Sequence, residues 1–401
     1  MHKQALVSAA TALLLALLLW PRAAPYAKTT TLHFPAHAPL ASAPPDAAYT
    51  DGRYSFGRWK HAITDVGFHS HDPTIDVLDA LTSRLQTKLW HYTSVDTPRF
   101  FLGFAFVQLQ YVSDVFLYLV DKDSMEKHEY AARRPGNVGL AFAASSIDTQ
   151  QCTAFTAATM LDSNETIEAC YTGGAWRLRA NVPLTSANGS TTTPFAMELA
   201  LQRDEALTLL YPLADDPWRP AYVHKGAGSA ASGHLHFGAS HVTVERGLGA
   251  IDWTKSMALR ETTWHWASAS FFAADGAAIG INLSQHVYDV DGASQENAIW
   301  VDGRVCALRG VQFQIPDVDP IHATWRIASI APTLLDNVTL VFTPAGARRD
   351  DAGVPYLVHS RFVQPYGTFS GRIVCATEDN IVHEITVENA FGVVEDHFAL
   401  W

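Results

Sequence analysis

The chain has 401 residues, enough to bury a large core and most naturally to form two domains. Hydrophobic residues at 48% and aromatics at 11% exclude a disordered chain. A net charge of −12, from 40 acidic against 28 basic residues with no basic stripe, argues against nucleic acid as a partner.

Met1–Gln4 is weakly basic, and Ala5–Trp20 is apolar or small apart from Ser8 and Thr11. This predicts an N-terminal hydrophobic helix within residues 1–28, as an uncleaved signal anchor or a cleaved signal peptide. Either delivers the body to a secretory lumen or the exterior, as a single-pass membrane protein or a secreted one. Residues 29–50, rich in Pro, Ala and Thr, read as a tether. Asn164, Asn188 and Asn337 fit the glycosylation pattern, as does Asn282.

The body opens at Asp51-Gly52. Arg84–Tyr92, Phe100–Tyr111, Val115–Val120, Trp176–Val182, Phe195–Leu201 and Leu207–Tyr211 are aromatic and branched runs between turn-like segments, as strands require. One short helix is expected at Thr74–Ser83. The Gly/Ala/Ser stretch Lys225–Gly233 reads as a linker dividing an N-terminal β-domain, 51–224, from a C-terminal one, 234–401. Cys152, Cys170, Cys306 and Cys375 fall two to each half; 152–170 and 306–375 are the natural pairs in an oxidising lumen, and four buried thiols the alternative.

Asp275-Gly276 between two strand-like runs predicts a two-residue hairpin turn. Counting outward sets Phe272 against Ile279, Ala269 against Asn282 and His265 against His286. The alternation then puts Trp264, Trp266, Ile279, Ile281 and Leu283 on a greasy face, and Glu261, His265, Asn282 and His286 on a polar one. A second hairpin at Asp302-Gly303 pairs Trp300 with Val305, Ile299 with Cys306 and Glu296 with Arg309. A third turns around Glu378-Asp379-Asn380.

The runs Asp252-Trp253, Arg260-Glu261-Thr262-Thr263-Trp264-His265-Trp266 and Gly280-Ile281-Asn282-Leu283 resemble the domain-of-unknown-function family 2804. So do Leu89-Trp90-His91-Tyr92, Glu296-Asn297, Phe342-Thr343-Pro344, Gly367-Thr368-Phe369-Ser370-Gly371 and the ending Gly392-Val393-Val394-Glu395-Asp396-His397. The likeness spans roughly Asp51 to Trp401. It implies an all-β chain of two tandem lipocalin-like antiparallel β-barrels, similar to carotenoid hydratase-like proteins, and no established activity.

Phosphate-loop, dinucleotide, G-x-S-x-G and HExxH signatures are absent from the sequence. The polar face is the candidate site: Glu261 and His265 for acid–base work, with Asp252, Trp264, Trp266, Asn282, His286, Glu296, Glu395 and His397 as candidate ligand contacts. Against this stands an ordinary solvent-facing sheet over a tryptophan core. His234 and His236 form an H-x-H pair, with His241 nearby, of the kind that ligates zinc or copper, but no third ligand stands at characteristic spacing, so no metal is expected, and no cofactor. The leading expectation is a barrel that binds an apolar or amphipathic small molecule, with the membrane met only through the N-terminal segment. The rival is a cofactor-independent hydratase, isomerase or cyclase using acid catalysis on an isoprenoid- or lipid-like substrate.

Overall fold

The computed structural model describes residues 34, 37, 39–69, 85–157, 165–354 and 358–401. The expected hydrophobic helix, the short helix at Thr74–Ser83 and Asn164 lie outside the described residues. Among the described residues no helix is long and apolar enough to cross a membrane.

The described residues are all-β, in two curled antiparallel sheets of 13 and 9 strands and two small two-stranded ones. In the first, hydrogen-bonded pairing passes through Thr87–Asp96, Phe100–Gln108, Val112–Asp121, Glu126–Pro135, Ala175–Ser186, Thr192–Gln202, Pro220–Phe237 and Ser240–Met257, and the last pairs with the first. The ladder therefore closes on itself through eight strands. The second sheet follows an open path that includes Glu261–Phe272, Ala278–Gln285, Asn337–Val354, Val358–Ala376 and Val382–Leu400.

The nearly unbroken apolar runs have a simple cause: their strands are covered on both faces. Along Phe100–Gln108, residues Phe100, Leu102, Phe104 and Phe106 pack inside the first sheet. The alternate residues Phe101 and Ala105 pack outward against Trp266, Phe362 and Phe391 of the second. Val112–Asp121 divides the same way, with Leu117 and Leu119 inside and Phe116 and Tyr118 toward the second sheet. Gly103 makes room for this packing, because a Cβ there would stand 2.7 Å from the Tyr118 ring. The second sheet has its own interior of Ile281, Leu283, Trp325, Phe342, Phe369 and Val394.

Three expectations need correction. The linker 225–233 is the middle of the strand Pro220–Phe237, and the strand after it, Ser240–Met257, also belongs to the first sheet, so the change of sheet comes after Met257. The small residues serve a crossing, not flexibility. A Cβ on Gly280 of the second sheet would meet Ala227 backbone at 2.2 Å, and the Gly228 N–H donates to Ser270 Oγ across the junction. Part of the tether is likewise packed: Leu40 and Ala48 are buried, and Ala41 and Ala47 bridge to Trp59 and Asp65. Finally, Cys152–Cys170 is a disulfide, but Cys306 and Cys375 are buried free thiols that meet in the core of the second sheet. A hydrogen bond to Cys306, with burial, holds the Cys375 thiol well above the usual range.

Candidate functional site

The central hairpin turns one residue wider than its Asp-Gly pair suggests. Ala273 N donates to Ala277 O, Gly276 lies at φ +90°, and the loop is the three residues Ala274–Gly276. Phe271, not Phe272, therefore faces Ile279, Ser268 faces Asn282, and His265 faces Gln285. A slip of one residue moves one strand's side chains to the other surface. Trp264 and Trp266 now share a face with Asn282 and Ser284, while Ala267, Ala269 and Phe271 join Ile279, Ile281 and Leu283 in the interior.

That mixed face looks onto a cavity of about 1540 Å³ between the two sheets. The second sheet supplies rows of cross-strand neighbours. Trp266 lies opposite Glu395; Trp264 lies opposite His397, which lies opposite Phe362. The first sheet supplies Trp90, Tyr92, Ala105 and Phe116, and the C-terminal Trp401 closes over them. Trp90 contacts both Trp264 and Trp401, with ring centroids 6.3 and 5.5 Å apart. The walls are mainly apolar, as in sites for small molecules.

Polar side chains interrupt them, among them two buried groups that join the sheets. Lys225 Nζ lies 2.7 Å from Asp252 Oδ2 and 3.1 Å from Glu296 Oε2, and 5.9 Å from the centre of the Trp266 ring. Lys225 and Asp252 come from adjacent strands of the first sheet, and Glu296 from a loop of the second. Burial pulls the ammonium toward neutrality, yet the two carboxylates outweigh it and hold the Lys225 pKa above its ordinary value. Burial, with repulsion from Asp252, raises that of Glu296 against the pull of Lys225.

In the second group, buried Glu395 accepts hydrogen bonds from Trp264 Nε1 and Gln364 Nε2, both at 2.8 Å. Gln364 Oε1 accepts from the Tyr118 hydroxyl of the first sheet at 2.7 Å. His397 Nδ1 stands 3.5 Å from Glu395, and its Nε2 is 3.0 Å from Ser360 Oγ.

Of the residues singled out from sequence, Asp252, Trp264, Trp266, Glu296, Glu395 and His397 line this cavity, with Glu261 and His286 also on its wall. Trp264 and Trp266 thus face the cavity and do not form a core behind the polar set. Asn282 is buried beneath Trp266, accepting from its Nε1 at 2.8 Å and donating to Glu296 O. His265 lies on the opposite face, beside Phe313 and 3.4 Å from Asp396; its ring still comes within 4.9 Å of His286. Trp300 pairs with Val305 and Ile299 with Cys306 as expected, but Glu296 does not oppose Arg309. That hairpin ends at Ala298 and Ala307, so Glu296 reaches Lys225, and the Arg309 N–H donates to Asp336. His236 and His241 are cross-strand partners with rings 4.1 Å apart. Among the described residues no group of three or more His, Cys, Asp or Glu is placed to hold a metal.

Sequence reasoning missed Lys225, Gln364, Tyr118 and Arg348. Lys225 carried one readable signal, a charged residue set among small ones in a lysine-poor chain. Tyr118 and Gln364 had none beyond their place in strands, and Arg348 reads as one charge in the run Arg348-Arg349-Asp350-Asp351.

Residues 55–401 match a family described as Domain of unknown function (DUF2804). No curated protein matches the chain. Among solved structures, a protein assigned as AttH from Nitrosomonas europaea is similar, with 14% identity over 82% of this chain and 98% of that one, and a TM-score of 0.42. Kievitone hydratase from Nectria haematococca is similar at 8% identity over 77% and 88% of the two chains, with a TM-score of 0.39.

Proposed function

Because the chain belongs to the domain-of-unknown-function family DUF2804, whose name supplies no activity, we propose from the site itself that this protein binds an apolar or amphipathic small molecule between its sheets. The observation that carries this reading is the cavity of about 1540 Å³, mainly apolar in its walls and lined by four tryptophans. Apolar walls supply affinity through area removed from water, and sparse polar groups fix orientation. We read the two sheets as lipocalin-like barrels in tandem, the first with its ladder closed and the second left open. The cavity then lies outside both interiors, which their own side chains fill. Mass spectrometry of small molecules extracted from the purified protein tests the proposal. An apolar compound retained near one equivalent is expected; none retained, with none bound on addition, would overturn it.

A second reading is acid catalysis on a bound isoprenoid- or lipid-like molecule, as a cofactor-independent hydratase, isomerase or cyclase. Glu296 favours it, a buried carboxyl on the cavity wall whose pKa burial raises, so that it holds a proton more readily than an exposed one. Lys225 opposes it by stabilising the carboxylate, which is why binding comes first.

We also place the body in the secretory pathway or outside the cell, tethered or released according to the fate of the N-terminal segment. The Cys152–Cys170 bridge supports an oxidising compartment. Complete protection of the body from protease in sealed vesicles is the expected result, and digestion from the cytosolic side the contrary one.

A further inference from the structure

Arg348 is a buried cavity-lining cation whose chemistry the apolar reading leaves unused. It lies on the strand Asn337–Val354 of the second sheet, is 5% exposed, and borders the cavity. Its guanidinium lies 3.7 Å from the centre of the Phe116 ring and 5.1 Å from that of Phe362, one aromatic from each sheet. Nε donates to Glu129 Oε1 at 2.7 Å. Glu129 also takes Lys127 at 2.6 Å, so two cations share one carboxylate. Nη1 and Nη2 carry no hydrogen bond to any described residue, and neither is sealed from solvent. The other nearby acids, Asp114 and Asp350, are bound to Arg133, which is 45% exposed and so lies where water screens it.

A guanidinium presents paired N–H donors in a rigid plane that matches the two oxygens of a carboxylate. With the rings of Phe116 and Phe362 against it and Nε held by Glu129, the plane is fixed before any ligand arrives. The apolar walls begin at the same two rings and run on to Trp264 and Trp401. We propose that Arg348 is the anchor for the carboxylate of an apolar monocarboxylic acid, whose body lies along the tryptophan wall. This deepens the binding function proposed above and rests on it.

The test compares three probes of one chain length, dodecanoate, methyl dodecanoate and dodecanol, binding to the full chain and to Arg348→Gln at neutral pH. The wild-type protein should bind the carboxylate about ten- to a hundredfold more tightly than the ester or the alcohol, the advantage of a charge-assisted hydrogen bond in a buried site. Arg348→Gln should bring the carboxylate down to the level of the ester and leave ester affinity within about twofold. Equal affinity of wild-type protein for acid and ester would overturn the anchor, as would a parallel loss of both in the folded variant. Should Arg348→Gln fail to fold, the wild-type preference decides alone. If ester and alcohol bind and the acid has no advantage, only this inference falls; if no probe binds, the cavity reading falls and takes the anchor with it.

Discussion

Lys225 sits where two sheets meet, and its environment makes strong demands of single side chains. Removing it would leave the carboxylates of Asp252 and Glu296 facing each other with no cation, one of them fully out of water. Lys225→Met should therefore cost about 3–5 kcal/mol, read as a lowered midpoint of urea unfolding. A change within about 0.5 kcal/mol would mean that the pair is solvated after all. His91 and His224 act in the opposite sense. Burial drives both pKa values down to about 3, so the folded chain refuses protons that the unfolded chain takes up near 6.5. Their effect is absent above the unfolded value, and stability falls progressively as pH drops through 6.5 toward 3. Glu296, with its pKa raised by burial, retains a proton longer in the folded state and offsets part of this loss on acidification. His91→Phe should accordingly flatten the fall in stability between roughly pH 6 and pH 4; an unchanged slope would show that His91 charges freely in place. Asn282 belongs to the same scale. With its amide nitrogen bonded to Glu296 O under Trp266, it should carry no glycan even where exposed Asn188 does, as peptide mapping would report.

The elements explain why some of this was legible in the sequence and some was not. The Asp275-Gly276 pair located the turn correctly, but its length depends on which residues take positive φ. Here only Gly276 does, so the loop holds three residues and one strand is offset by one. The offset put Trp264 and Trp266 on one face with Asn282 and turned His265 to the other, so the two surfaces counted from the sequence were mixed. Asp302-Gly303, with positive φ at both residues, matches the two-residue turn, and the register counted from it holds for Ile299 and Trp300. The stretch Lys225–Gly233 was opaque for a different reason. A flexible linker and a close sheet crossing both require small residues, and composition alone does not separate them. Cysteine pairing shows the same limit. An even count allowed two bridges, while the structure holds one bridge and two core thiols. Reduction of Cys152–Cys170, 18 residues apart, should cost about 3 kcal/mol, seen as the difference in unfolding with and without reductant. Cys306 and Cys375 should react with a thiol reagent only on unfolding; their recovery as a disulfide from native protein would contradict the fold drawn here.

Across the whole molecule, the two sheets each bury an interior of their own and meet through a third apolar layer. In that layer Tyr118–Gln364, Arg348–Glu129 and Lys225–Glu296 cross from sheet to sheet. The cavity lies within this junction, so a ligand bound there as proposed would draw on the same side chains that dock the sheets. An apolar ligand at free concentration L should stabilise the chain by RT ln(1 + L/Kd), still rising after the site is full, because it binds only the folded state. The measurement that tests the account most directly is energy transfer from the tryptophans to an apolar fluorophore, in the wild-type chain and in Ala105→Trp, which adds bulk at a buried position on the cavity wall. Saturable binding near one equivalent that is lost in Ala105→Trp, with the unfolding midpoint retained, is the outcome the inter-sheet cavity predicts. Binding that survives the substitution unchanged, or no saturable binding to the wild-type chain, would contradict it.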